Sequence, residues 1–234
     1  DTRSLRLYGE EVALPYAGTG NSGFPYWIER YVPGQELTLW VKANVVGGAT
    51  SQIYMYFGGT PLVDAAPPNQ VFLAFEAIDG SGYSVNDNYY GATLDSQYSA
   101  AEYNTGGLGI YISGSASHLS CAPSHAYISP PPFNAPFAGR ALIGGFMRVS
   151  CPACQAVMGV NGTVTMATTQ TSFGLALGYA DVGEEANTWF FGVDTYNGCT
   201  TQYGVFDDLF VTMTTEPEPT VSPLGAGSVV SVCQ

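Results

Sequence analysis

Apolar and polar residues alternate along most of this chain, with a period of two. Leu37, Leu39, Val41, Ala43 and Val45 are interleaved with Thr38, Trp40, Lys42 and Asn44, the pattern of a strand with one buried and one solvated face. Ile53–Phe57, Val71–Phe75, Leu108–Ile112, Ala141–Val149 and Gln155–Val160 read as further strands. Phe173, Leu175, Leu177 and Tyr179 alternate again, and Val205, Asp207, Leu209, Val211 and Met213 are expected to share one face of a late strand. No window carries apolar residues at i, i+3, i+4 and i+7 between caps, so little helix is expected. Glycines and prolines punctuate the runs at the spacing of an all-β sandwich. Three polar loops interrupt the pattern: Gly80–Ser99, Ser113–Pro136 and Gly183–Asn187. Glu216–Pro223 reads as a semi-rigid Pro-rich linker, leading to the β-prone run Ser228–Val232.

Composition sharpens this picture. Hydrophobic residues make up 46% of the 234, enough for a sizeable core, while charged residues make up only 11%. The surface must then be built from Ser, Thr, Asn, Gln, Gly and Tyr, a palette common on extracellular β-proteins. The formal net charge is −13, and the basic residues are Lys42 and five arginines. Nucleic acid and anionic lipid both require clustered Lys and Arg, so both are excluded as partners. No apolar run reaches the ~18 residues of a membrane helix. The chain opens on Asp1 with no leader and reads as a processed, extracellular or cell-surface chain.

The cysteines are Cys121, Cys151, Cys154, Cys199 and Cys233. Cys151-Pro152-Ala153-Cys154 lies between two strand-like runs, and Pro in its second position suits a type I turn. The ends of such a turn lie within reach of a disulfide, so Cys151–Cys154 is read as a bridge across a hairpin tip. A zinc site stays open if Cys121, Cys199, His118 or His125 supplied the other ligands. In the disulfide reading Cys121 pairs with Cys199, and Cys233 is left as a free or intermolecular thiol.

Catalytic constellations are not evident. Asp207 and Asp208 are adjacent in a strand, so their carboxylates are expected on opposite faces, unable to act on one substrate. Glu184-Glu185 reads as a solvated loop pair. His118 and His125 lie near Ser117, Ser120, Cys121 and Ser124 without a Gly-x-Ser-x-Gly elbow. The chain is therefore expected not to be an enzyme and to need no cofactor. Calcium is the one exception kept: Asp79 and Asp87 sit among oxygen-bearing neighbours, and Asp207, if buried, would need a cation or other partner. Trp27, Trp40 and Trp189, with Tyr83, Tyr89, Tyr90, Tyr98 and Tyr103, are candidates for stacking on sugar rings, against the alternative that they fill the core. Asn161-Gly162-Thr163 is an N-glycosylation acceptor.

The blocks Leu5-Arg6-Leu7-Tyr8, Leu14-Pro15, Tyr26-Trp27-Ile28-Glu29, Leu39-Trp40-Val41-Lys42 and Ile53-Tyr54-Met55-Tyr56-Phe57-Gly58 resemble a cell-surface family of archaea and bacteria, domain of unknown function 2341, over residues 5–63. In that family the domain is often followed by a concanavalin-A-like jelly roll. Residues 189–213, through Trp189–Asp194 and Phe206–Val211, look similar to the end of one. The resemblance implies an all-β, two-sheet jelly-roll sandwich, with residues 1–66 and 67–215 both contributing strands and 216–234 forming a linker and tail. A sandwich short of a strand would have an open edge. The expected function is then a structural subunit of an extracellular filament, a homopolymer in which Val229, Val230 and Val232 are donated to a neighbouring copy. The alternative is a carbohydrate-binding jelly-roll module of a cell-surface protein, with surface glycans as partners.

Overall fold

A computed structural model describes residues 6–9, 24–32, 35–43, 53–56, 68–78, 85–86, 92–99, 104, 109–116, 124–195 and 202–214. The chain divides into two compact units, Asp1–Leu73 with Thr212–Gln234, and Ala74–Val211.

In the first unit β1 (Arg6–Gly9) pairs antiparallel with β4 (Ile53–Tyr56), and β2 (Tyr26–Val32) with β3 (Glu36–Val41). These strands were expected in the sheets of the sandwich. Among the described residues they instead pair only with one another. Their core explains it: Leu39, Val41 and Ala43 are buried against Phe24, Tyr26, Ile28, Leu37, Ile53 and Met55, so this alternating face is satisfied within its own unit. The predicted strand Val71–Phe75 is also corrected. Its start is the last residue of a single helical turn, α1 (Pro68–Val71), opened by a proline in the position that tolerates one, and Phe72 follows it into the core.

The second unit contains β5 (Ala74–Glu76), β6 (Val85–Asn86), β7 (Ala92–Ser99), β8 (Gly109–Ala116), β9 (Ser124–Ile128) and β10 (Phe133–Asn134). It continues through β11 (Gly139–Val149), β12 (Cys154–Val160), β13 (Thr163–Thr168), β14 (Gly174–Val182), β15 (Ala186–Asn187), β16 (Trp189–Thr195) and β17 (Gln202–Met213). Sheet one runs β14-β11-β17-β8-β7, with β5 also on β17; sheet two runs β13-β12-β16-β9-β6. The short strands β10 and β15 form a separate pair. The chain crosses between sheets from β8 to β9, β11 to β12, β13 to β14 and β16 to β17. This shuttling between two sheets is the jelly-roll arrangement, so the expected fold class holds.

Inner faces are identified by what touches across the layers. Phe191 of β16 meets Phe206 of β17 with ring centroids 5.4 Å apart. A Cβ on Gly178 would lie 2.5 Å from Met166 of β13, and one on Gly204 would lie 2.6 Å from Val193 of β16. Ile110, Ile112, Ala141, Ile143, Met147 and Val149 complete the inner face of sheet one, all at or near zero exposure.

The tip joining β11 to β12 carries the disulfide Cys151–Cys154, with Cα atoms 5.5 Å apart. Cys154 N–H donates to the Cys151 carbonyl at 3.1 Å, the bond of the four-residue turn that the proline foreshadowed.

Candidate functional site

Once the inner face is fixed, the outer face of sheet one follows by alternation. On β14 the outward positions are Leu175, Leu177, Tyr179 and Asp181. Across from them in register on β11 are Phe146, Gly144, Leu142 and Arg140. On β17 the outward residue Tyr203 meets Tyr111 of β8, ring centroids 5.5 Å apart. Each arginine of β11 lies over a tyrosine: Arg140 is 4.6 Å from the Tyr179 ring centre and Arg148 is 5.3 Å from that of Tyr203. The Arg148 guanidinium also donates to the Tyr203 hydroxyl at 3.4 Å. Between the two arginines, about 27 Å apart at ~3.4 Å per residue, run Tyr179, Leu177, Leu175, Phe146 and Phe173, the last two 6.2 Å apart. Leu175 is 37% and Leu177 43% exposed.

This is an elongated face whose middle is apolar and aromatic and whose ends carry cations. Cation–π contact holds each guanidinium on the sheet surface instead of leaving it to sweep through solvent. An Arg offers five N–H donors and no acceptor. Such a face can cover the apolar side of a flat ligand and donate to oxygens at its edges.

The outer face of sheet two is different. His125 and Tyr127 stack with centroids 4.8 Å apart at 16°, and Phe190 follows at 4.7 Å. The Tyr127 hydroxyl donates to Asp194 at 2.5 Å. These rings satisfy one another, and Phe190 keeps only 9% of its surface.

The tryptophans do not form a sugar-stacking surface. Trp27, Trp40 and Trp189 are 8%, 3% and 2% exposed. Trp27 and Trp40 each pack edge-on against Phe72. The Trp40 indole donates to Glu29 at 2.6 Å, and the Trp189 indole donates to the Pro131 carbonyl at 2.9 Å. Burial of a large ring with its one donor satisfied is a core role. Tyr98 lies in β7; Tyr83, Tyr89, Tyr90 and Tyr103 lie outside the described residues. The pair that sequence reading missed, Tyr111 and Tyr203, sits on strands recognised as strands. Their association across β8 and β17 depends on a pairing of distant segments.

Asp207 and Asp208 depart from expectation. Both are buried, at 0% and 1% exposure, and both accept from one residue. The Asn104 backbone N–H donates to Asp207 at 2.6 Å and its side-chain amide to Asp208 at 2.8 Å. The reason is a positive φ of 46° at Asp208, a bulge that inserts one residue and reverses the alternation. Gly204 and Phe206 face inward before it. After it Leu209 meets Gly145 of the inner face, and Phe210 lies beside outward Gly144. The predicted single face Val205–Met213 is thus split in two. Replacing Asn104 with Ala is expected to cost about 1–3 kcal/mol, since a buried carboxylate loses a donor. A urea midpoint equal to that of the parent chain would refute this.

Asp79 and Asp87, the other calcium candidates, lie outside the described residues. So do Cys121, Cys199, Cys233 and His118, as well as Val229, Val230 and Val232. Among the described residues no group of three His, Cys, Asp or Glu side chains is arranged to hold a metal ion. Asn161 forms the two-residue turn between β12 and β13 with Gly162, at φ 52° and 78°. Its amide nitrogen, the atom a glycan would use, donates to buried Asn187 at 2.9 Å, and its carbonyl accepts from Thr188 N–H at 3.0 Å. Asn187 in turn bonds Gly183 and Glu185, so this amide pair clamps two neighbouring turns together.

The family described as domain of unknown function (DUF2341) matches residues 3–88. No curated protein matches the chain significantly. Solved structures with similar folds include the C-terminal family 6 carbohydrate-binding module of a laminarinase from Zobellia galactanivorans. It is 12% identical, with a TM-score of 0.37, over 56% of this chain and 93% of that one. A carbohydrate-binding module from Cellvibrio mixtus lichenase 5A, solved with cellotriose, is 13% identical at a TM-score of 0.37, over 62% and 99%. A family 35 module from Clostridium thermocellum is 19% identical at 0.35, over 53% and 89%. Among the described residues no helix is long and apolar enough to cross a membrane.

Proposed function

We propose that this chain is a non-catalytic, extracellular carbohydrate-binding module and that the outer face of sheet one receives the glycan. The observation that carries the reading is the row Arg140–Tyr179–Leu177–Leu175–Phe146–Arg148–Tyr203 on one sheet face. A pyranose presents apolar C–H surfaces and polar hydroxyl edges, and such ligands are bound by apolar or aromatic walls with a few placed polar groups. The rings and leucines supply the walls and the arginines supply donors. The reading rests on this face, not on the distant likeness to other modules.

Two further observations support parts of it. The adjacent acids Asp207 and Asp208 are buried on Asn104 and so do not reach a sugar, which favours binding over hydrolysis. The Cys151–Cys154 disulfide suits an oxidising, extracellular setting. The filament reading depends on Val229, Val230 and Val232, which lie outside the described residues.

Affinity electrophoresis in soluble xylan and in mixed-linkage β-glucan, followed by calorimetry on whichever retards the protein, tests the proposal. Tyr203→Ala and Tyr179→Ala are each expected to weaken binding about tenfold, or ~1.4 kcal/mol, with unchanged melting. Retardation that survives both substitutions, or failure to bind any polysaccharide, would overturn it.

A further inference from the structure

Among the described residues β14 is one of the two terminal strands of sheet one, β7 being the other. Natural edge strands are usually guarded by lysine, proline, a bulge or inward charge, because a bare edge templates pairing. β14, Gly-Leu-Ala-Leu-Gly-Tyr-Ala-Asp-Val, has no lysine and no proline, its register with β11 is unbroken, and its one charge, Asp181, is next to last. It also carries Leu175 and Leu177. With Val164 on the neighbouring edge strand β13, these make three of the four large hydrophobic residues exposed among the described residues, the fourth being Phe137.

The sequence around this edge reads nearly the same in both directions: Phe173-Gly174-Leu175-Ala176-Leu177-Gly178-Tyr179, centred on Ala176. An antiparallel pair of identical strands related by a two-fold axis at Ala176 opposes residue i of one copy to residue 352 − i of the other. Leu175 then meets Leu177, Gly174 meets Gly178, and Phe173 meets Tyr179. Asp181 faces Thr171, so no like charges oppose. Leu175, Leu177, Phe173 and Tyr179 all project to the outer face, so every outward pair in the centre is apolar or aromatic, the kind that stabilises antiparallel ladders. A two-fold interface requires a surface complementary to itself, and a palindromic edge strand supplies one.

We propose that two copies of this chain pair through β14, edge to edge about Ala176, forming one continuous sheet across a symmetric dimer. The dimer sets two outer faces side by side in one surface, which would raise the avidity for any extended ligand. The pairing itself does not depend on what that ligand is.

The test is a charge exchange read by light scattering on the full chain at tens of micromolar. The parent chain is expected to show twice the 24.7 kDa protomer mass. Leu175→Lys with Leu177→Lys places lysine against lysine and should give monomers; Leu175→Glu with Leu177→Glu should do the same. An equimolar mixture should return to the dimer, because every lysine then meets a glutamate. A variant that had merely unfolded would not regain partners on mixing, so fold loss and interface loss are separated. A monomeric parent chain, a dimer that both double variants retain, or a mixture that stays monomeric would each overturn the proposal.

Discussion

Phe206→Ala is expected to destabilise the sandwich by about 3–5 kcal/mol, the range for an aromatic ring removed from a packed core. The ring has no exposed surface and stands between the layers, touching Phe191 of sheet two at 5.4 Å between centroids. Its own strand is fixed by pairing with β8, where Phe206 lies opposite Ile110. Collapse into the cavity would require the two ladders to approach, which their hydrogen-bonded registers oppose. The space beside it is already tight, since a Cβ on Gly204 would come within 2.7 Å of this ring. A domain has only ~5–15 kcal/mol of total stability, so the melting temperature should fall by roughly 10 °C or more. Phe191→Ala should cost a similar amount, and the double variant less than the sum, because the two rings share one site. Unfolding free energies from urea titration that change by under about 1 kcal/mol would show that this contact does not hold the sheets together.

Much of this architecture was readable as pattern. The runs at 37–45, 53–57, 141–149 and 173–179 contain β4 and most of β3, β11 and β14; in the first and last of them alternation reports burial on one face, and in the other two an apolar run between turn signals marks the strand. The Cys-Pro-x-Cys turn was legible for a similar reason: it is local, and turn geometry alone brings its ends together. What the pattern could not reveal was anything set by a single backbone angle or by distant pairing. The bulge at Asp208 is one residue at φ 46°, yet it turned a supposed one-face strand into two half-faces and brought two acids onto Asn104, over a hundred residues away in sequence. The tryptophans misled for a related reason. An aromatic residue in a β-strand has the same sequence signature whether it faces a core or a ligand, and only the strand's neighbours decide. Tyr203 and Arg148 face outward because Phe206 and Met147 face inward, a statement about registers that one strand does not contain.

Gly192→Ala is expected to cost about 3 kcal/mol or more, beyond the usual range for adding a single methyl to a tolerant site. A Cβ at this position would lie 1.8 Å from the Ala126 carbonyl oxygen and 2.9 Å from the Tyr127 Cα. Both are backbone atoms of β9, so no side-chain rotation relieves the clash. Relief requires β9 to move away from β16, and that breaks the ladder from Phe191↔Ile128 to Thr195↔Ser124 along with the Tyr127–Asp194 hydrogen bond. The control lies in the other sheet. A Cβ on Gly174 would meet nothing within 4 Å, so Gly174→Ala should be neutral or stabilise by roughly 0.5 kcal/mol through the unfolded chain. Paired urea titrations would give the two midpoints. If they coincide, sheet two does not depend on the close approach of β9 and β16 at Gly192.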